Sequence, residues 1–367
     1  MVERTDEMIA IDADGHVHES DEMFTEYLDP AFRDRTRGWA LNDDGNRRLF
    51  VDGVQHPPFP PEISVRKPMS ADNRLLVLDK ERIGAAVLFP SATLSASYLE
   101  PGFGTAMTIA HNNWISDYVR PHAKRLYFAA PVTIHDVAQS AAEARRAVSE
   151  LGAVAVTIRP NPVQGRNLDD PSYDPFFATV QELGVPLCIH ESTGCMETAA
   201  GDRYGGMMDP ASYAFNHVIS HPFEQMFAMM SLICGGVLER FPDLKVAFLE
   251  AGCSWVPYWL ARLDDHFEHR KLGRYMPSLR MRPSEYFHRQ CIVSCDPGDP
   301  TIPLAVTGLG AERIVFATDY PHFDSGGGAV SAFLSCKDIE PTCQRKILRD
   351  NASAFYGVAV PAKATAA

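Results

Sequence analysis

Four short apolar runs in this sequence end in side chains that can hold a cation or move a proton. MIAIDA leads into Asp12, Asp14, His16 and His18; VPLCIH ends in His190; LKVAFLE ends in Glu250; RIVFAT runs into Asp319. Imidazoles and carboxylates suit Zn²⁺, Mn²⁺ or Fe²⁺. An acid-x-His or His-x-His pair at a strand end sends two side chains to one side, because side chains alternate with period two. Each residue taken singly has a plainer use: a histidine after a strand is commonly just hydrogen-bonded, and an aspartate there caps the next helix. Four strand ends carrying ligand types together argue for one shared site. An ion held there with a coordination position open activates water or polarises a substrate oxygen.

The elements that must position these residues recur in a regular order. Strand-length apolar runs fall at 8–13, 84–89, 126–131, 153–158, 185–190, 244–250, 290–294 and 313–318. Amphipathic stretches at 104–122, 135–151, 172–183, 222–240, 255–271 and 327–338 read as helices between them. Eight apolar strands alternating with helices predict a single (β/α)₈ barrel over 1–367, whose site forms where the strands end. The stretch from 20 to 75 exceeds a simple βα unit; RLFVDGVQHPPFPPE within it reads as a hairpin and a Pro-rich loop inserted over the mouth. A helix is expected after 341, and 358–367 as a frayed tail.

Composition narrows the partners. With 34 Lys+Arg against 47 Asp+Glu, the net charge of −13 disfavours nucleic acid and anionic membranes. The longest uncharged run, Ile83 to Leu99, is broken by Pro90 and hydroxyl side chains, so no membrane span is expected. The acidic N-terminus lacks a secretory pattern, which predicts a cytoplasmic location. All eight cysteines lie between Cys188 and Cys343 without CxxC pairs, as reduced thiols would. No nucleophile elbow, GxGxxG or Walker loop is present; the Gly-rich DSGGGA at 324–329 reads as a tight loop.

Other polar residues near the mouth are Arg159, His221, His217 and His322. Arg159, in TIRPNP, would fork onto a substrate carboxylate or bridge neighbouring loops. His217 and His221 flank the start of the 222–240 helix, and His221 is the better placed as general acid/base. His322 would line the mouth. His111, His135, His266, His269 and His288 sit in amphipathic stretches and read as surface or core residues.

The runs IDADGHVHE, PLCIHE, GGVLERFPDLKVAFLEAG and FATDYPH, with the closing KILRDNASAFYGV, resemble the amidohydrolase superfamily, in the branch of aminocarboxymuconate-semialdehyde and γ-resorcylate decarboxylases. The resemblance covers nearly the whole chain. It implies one divalent ion, zinc first and manganese or iron next, held by Asp14, His16, His190 and Asp319, and a homodimer. His16-x-His18 is the alternative register. It also implies that Asp319 handles a proton. On strand 6 the branch often carries His followed by glycines, where this chain has Glu250-Ala251-Gly252. Glu250 is expected to ligate or closely approach the ion; the alternative is a protonated general acid. The implied activity is non-oxidative decarboxylation of a small aromatic or unsaturated acid. A hydrolase using the same ligands, and a catalytically silent binding barrel, are the alternatives.

Overall fold

A computed structural model describes residues 8–41, 45–55, 65–191, 200–204, 210–269, 271–322 and 325–359. Eight parallel strands follow one another around a barrel: β1 (Ala10–Val17), β2 (Ile83–Pro90), β3 (Leu126–Pro131), β4 (Ala155–Ile158), β5 (Leu187–His190), β6 (Val246–Leu249), β7 (Cys291–Cys295) and β8 (Ile314–Phe316). Almost every strand residue is buried, which is why the runs are apolar without alternation. Ile11, Ala13, Val87, Phe89, Cys188, Leu249 and Val315 belong to one buried cluster that also takes in Tyr356 of the closing helix. That helix plugs the barrel, with the Tyr356 hydroxyl donating to the Ala13 carbonyl.

The junction between β8 and β1 is closed by individual hydrogen bonds. The Asp319 amide donates to the Asp14 carbonyl at 3.0 Å, and the His16 amide to the Tyr320 carbonyl at 2.8 Å. Just below, Asp12 accepts from the amide and the hydroxyl of Thr318 at 3.0 and 2.6 Å. Asp12 therefore staples the seam instead of joining the site. The pairing of β1 with β2 shifts between Asp12 and Gly15. This bulge carries the inward positions from Ile11 and Ala13 to Asp14 and His16.

The stretch between β1 and β2 contains the expected hairpin, Arg47–Val51 against Val54–Gln55, within a three-stranded antiparallel sheet begun by Thr36–Leu41. Trp39 from this sheet donates its indole N–H to the Glu19 carbonyl. The helix of the first βα unit, Ala71–Lys80, starts inside the segment read as insertion, after Ser70 accepts from the Asn73 amide. The PPFPPE loop and most of the tail lie outside the described residues. Helices also form at Pro283–Gln290 and Ile302–Leu309. The predicted 222–240 helix is corrected: it runs Pro210–Cys234 with Pro222 inside, and a separate turn, Val237–Arg240, follows the left-handed Gly236. Both prolines suit a first helical turn, and the structure uses Pro210.

Just past β1, the fully buried Glu19 accepts from the amides of Ala92 and Thr93 at 3.0 and 2.9 Å and faces His111 at 3.4 Å. Burial would raise its pKa, but His111 and the Thr93 amide outweigh that and hold it at about 2, against the usual 4.5. A depressed carboxylate contributes stability above its unfolded pKa and loses it as pH falls towards the folded one. We expect Glu19→Gln to cost about 2 kcal/mol at pH 7. Urea unfolding of both proteins checks this, and their difference should shrink from pH 5 downwards; a pH-independent difference would contradict the charged role.

Candidate metal centre and its acid pair

Two imidazoles meet at the barrel mouth. His16 Nε2 and His190 Nε2 face each other at 3.1 Å. Their other nitrogens are engaged with carbonyls: His16 Nδ1 donates to Pro90 O at 2.8 Å and His190 Nδ1 to Glu191 O at 2.6 Å. That fixes both Nε2 lone pairs towards the same point, the arrangement that orients histidine ligands. The His190 ring also stacks on Phe89, with centroids 5.3 Å apart. Asp14 Oδ1 lies 3.2 Å from His190 Nε2 and 3.7 Å from His16 Nε2. Both Asp14 oxygens are buried without a hydrogen-bond partner. Two opposed lone pairs beside a buried carboxylate call for a positive charge between them, and these residues fit a divalent ion. His18 turns instead towards Trp39 and His322, so the acid-x-His pair forms the cluster.

Asp319 and Glu250 form, with His16 and His322, a second group of donors that shares His16 with the first. Asp319 Oδ1 is 3.4 Å from His16 Nε2 and accepts from His322 Nδ1 at 2.5 Å, while His322 Nε2 meets the Ser91 hydroxyl at 2.9 Å. Glu250 Oε2 is 3.0 Å from His190 Nε2 and 3.7 Å from His16 Nε2, and its Oε1 is 3.2 Å from His221 Nε2. Glu250 and Asp319 both take left-handed backbone conformations, φ 54° and 55°, a strain that non-glycine residues tolerate chiefly at functional sites. One carboxylate therefore spans the ion position and His221.

The electrostatics of this pair follow from burial. Glu250 is pushed well up, first by burial and then by Asp319. His221 is pulled down to about 4 by burial and then by His217. Its Nδ1 lies 3.2 Å from the His217 carbonyl, and its Nε2 lies 3.2 Å from Glu250 Oε1. His217 and His221 lie inside the long helix, not at its start, with rings 4.8 Å apart. One helical turn beyond His221, Gln225 donates to the carbonyls of Ile189 and Leu249 at 2.9 and 2.8 Å, tying this helix to the ends of β5 and β6. Nothing in the sequence marks Gln225, because its partners are backbone atoms.

Arg159 takes the bridging option. It is 3% exposed, bonds Glu191 at 2.6 Å and Asn161 at 3.1 Å, and lies over the Tyr98 ring at 4.2 Å. Its guanidinium thus braces the residue after His190. His111 is a core residue, as expected. In the Gly-rich loop after β8, Gly328 takes a left-handed conformation, φ 81°, as a tight connection needs, and its amide donates to Glu81 at 2.6 Å. A cleft of about 680 Å³, lined by His217, His221, Glu250, Asp296 and Asp319 among others, opens onto the site.

A parallel eight-stranded barrel that converges imidazoles and carboxylates at its strand ends belongs to the class of metal-dependent barrel enzymes. Comparison makes the class specific: residues 13–358 match the family model described as Amidohydrolase, and the chain belongs to that family. It is 27% identical over 293 residues to 2-amino-3-carboxymuconate-6-semialdehyde decarboxylase of Dictyostelium discoideum, covering 78% of this chain and 76% of that protein. It is 26% identical over 330 residues to gamma-resorcylate decarboxylase of Rhodococcus jostii strain RHA1, covering 86% and 94%. Dihydroxybenzoic acid decarboxylase of Polaromonas sp. JS666, solved with bound manganese and 2-nitroresorcinol, shares the fold at a TM-score of 0.68 and 20% identity, covering 96% and 97%. Among the described residues no helix is long and apolar enough to cross a membrane.

Proposed function

We propose that this chain catalyses non-oxidative decarboxylation of a small aromatic or unsaturated carboxylic acid, using one divalent ion, zinc or manganese, held by Asp14, His16, His190 and Asp319. The observation that carries this reading is the pair of imidazole Nε2 atoms, 3.1 Å apart with both Nδ1 atoms committed, beside an unpartnered Asp14 carboxylate. The names of the family relatives support the substrate class. The bound ion supplies a fixed positive charge against a substrate carboxylate or neighbouring oxygen.

The chain's own residues supply the proton. Glu250 and His221 face the cleft with Oε1 and Nε2 3.2 Å apart and act together as the acid. The proton passes to the ring or vinylic carbon that bears the carboxylate. The bond from that carbon to the carboxyl carbon then breaks, its electrons return to the unsaturated system, and CO₂ leaves. The pair is reprotonated from solvent. Asp319, held by His322, orients the substrate, accepts a phenolic or enolic proton and returns it to that oxygen once CO₂ has left. Arg159 positions His190 by bracing Glu191.

We assign the chain, as one domain in the cytoplasm, a homodimer, which sedimentation velocity tests. The activity test is CO₂ release from hydroxybenzoates and carboxymuconate-type acids in D₂O, with product examined by NMR. Decarboxylation places one deuterium on the carbon that lost CO₂. Release of amine from amides or opening of lactones to hydroxy acids, without CO₂ from any acid, would instead establish the hydrolase.

A further inference from the structure

The helix Ala71–Lys80 lies outside the barrel, yet one of its side chains reaches under the metal centre. Arg74 is 2% exposed. Its Nη1 donates to the carbonyl of His16 at 3.1 Å and to that of Tyr320 at 3.0 Å. Its guanidinium carbon lies 4.8 Å from the Tyr320 ring centroid, and Nη2 lies 3.9 Å from Asp12 Oδ2. One nitrogen therefore joins the backbone of His16 on β1 to the residue that follows Asp319 beyond β8. This is the junction that the strand ladder leaves to isolated hydrogen bonds.

A second observation shows how closely the device is built. A Cβ on Gly15, between Asp14 and His16, would lie 2.6 Å from Asp12 Oδ2 and 2.7 Å from Arg74 Nη2. The chain passes the Asp12 and Arg74 side chains at a distance only glycine permits. Asp12 is itself bound to Thr318, immediately before Asp319. Arg74 and Asp12 thus grip both strands from below, at His16 itself and at the residues on either side of Asp319.

We propose that Arg74 is a positioning residue for the metal centre: by clasping the carbonyls of His16 and Tyr320 it sets the spacing of Asp14 and His16 from Asp319, and hence ion affinity. This rests on reading those three residues as ligands. Lysine at 74 presents one ammonium on a flexible stem and lacks the planar fork that serves two strands and Asp12 together. Partners one step removed from metal ligands typically change affinity by about 10- to 100-fold.

The experiment measures Mn²⁺ and Zn²⁺ dissociation constants by chelator competition, with melting temperature before and after metal loading, for wild type, Arg74→Lys, Arg74→Met, Gly15→Ala and His190→Ala. Arg145→Met, which removes an exposed bridge to Glu182, serves as control. We expect metal affinity to fall at least tenfold in Arg74→Met and Gly15→Ala, less in Arg74→Lys, and not in Arg145→Met. The rise in melting temperature on loading should shrink in the same order, whereas a merely structural role would lower metal-free and loaded forms equally. Should Arg74→Met fail to fold, Gly15→Ala and Arg74→Lys decide the matter. Wild-type affinity in these variants, with metal lost in His190→Ala, overturns the role of Arg74 and leaves the ligand assignment standing. Retention of metal by His190→Ala overturns the ligand assignment, and this proposal with it.

Discussion

His190→Ala is expected to purify without its ion, to melt within a few degrees of metal-free wild type, and to turn over about 10³-fold more slowly or worse. His190 Nε2 lies within 3.2 Å of Asp14, His16 and Glu250. Its removal takes away the imidazole nearest to Asp14 and Glu250. The loss in rate follows from the several kcal/mol of charge stabilisation that a bound ion contributes. The fold should survive because His190 ends its strand, and the barrel interior below it is filled by Cys188, Leu249, Phe89 and their neighbours. Metal content and melting temperature with and without added ion test this together, since a ligand that binds only the folded state must raise the melting point. Wild-type metal content in the variant would falsify the ligand assignment.

The strand-end histidine was readable because an α/β barrel exposes its functional side chains where the buried strands stop. Asp14, His16, His190, Glu250 and Asp319 all follow apolar runs, so their residue types sufficed. Asp12 was not separable from Asp14 by that logic. Period-two alternation places both on one side, and the bulge at Asp12 to Gly15 sends one to the seam and the other to the mouth. Bulges leave a weak trace in sequence, here a single glycine whose reason is the side chains packed against it. Arg74 and Gln225 were invisible for a related reason. Both act on backbone carbonyls, which every residue carries, so nothing in their own neighbourhoods announces them. The early start of the long helix was hidden by two prolines that both suit a first turn. His221 falls just before the predicted start at 222 and well inside the observed helix, where it lies opposite Glu250.

Glu250→Gln is expected to lower turnover by about 10²- to 10⁴-fold while weakening metal binding by no more than about tenfold, the range that separates loss of proton transfer from loss of one oxygen near an ion. The argument begins with charge. Asp14, Asp319 and Glu250 would place three negative charges around one divalent ion and two neutral imidazoles, leaving the mouth negative before an anionic substrate arrives. One proton on Glu250 or His221, whose Oε1 and Nε2 lie 3.2 Å apart, removes that excess. Burial and Asp319 push Glu250 in the same direction. Glutamine keeps the shape and the contact with His221 but cannot pass a proton on. His190 and His16 still present their Nε2 atoms, so most of the ion's donors remain. Measured together, metal content and turnover distinguish the roles. Metal loss as complete as in His190→Ala would make Glu250 a ligand first and leave His221 as the acid alone. Normal values for both would reduce Glu250 to a structural part of the mouth.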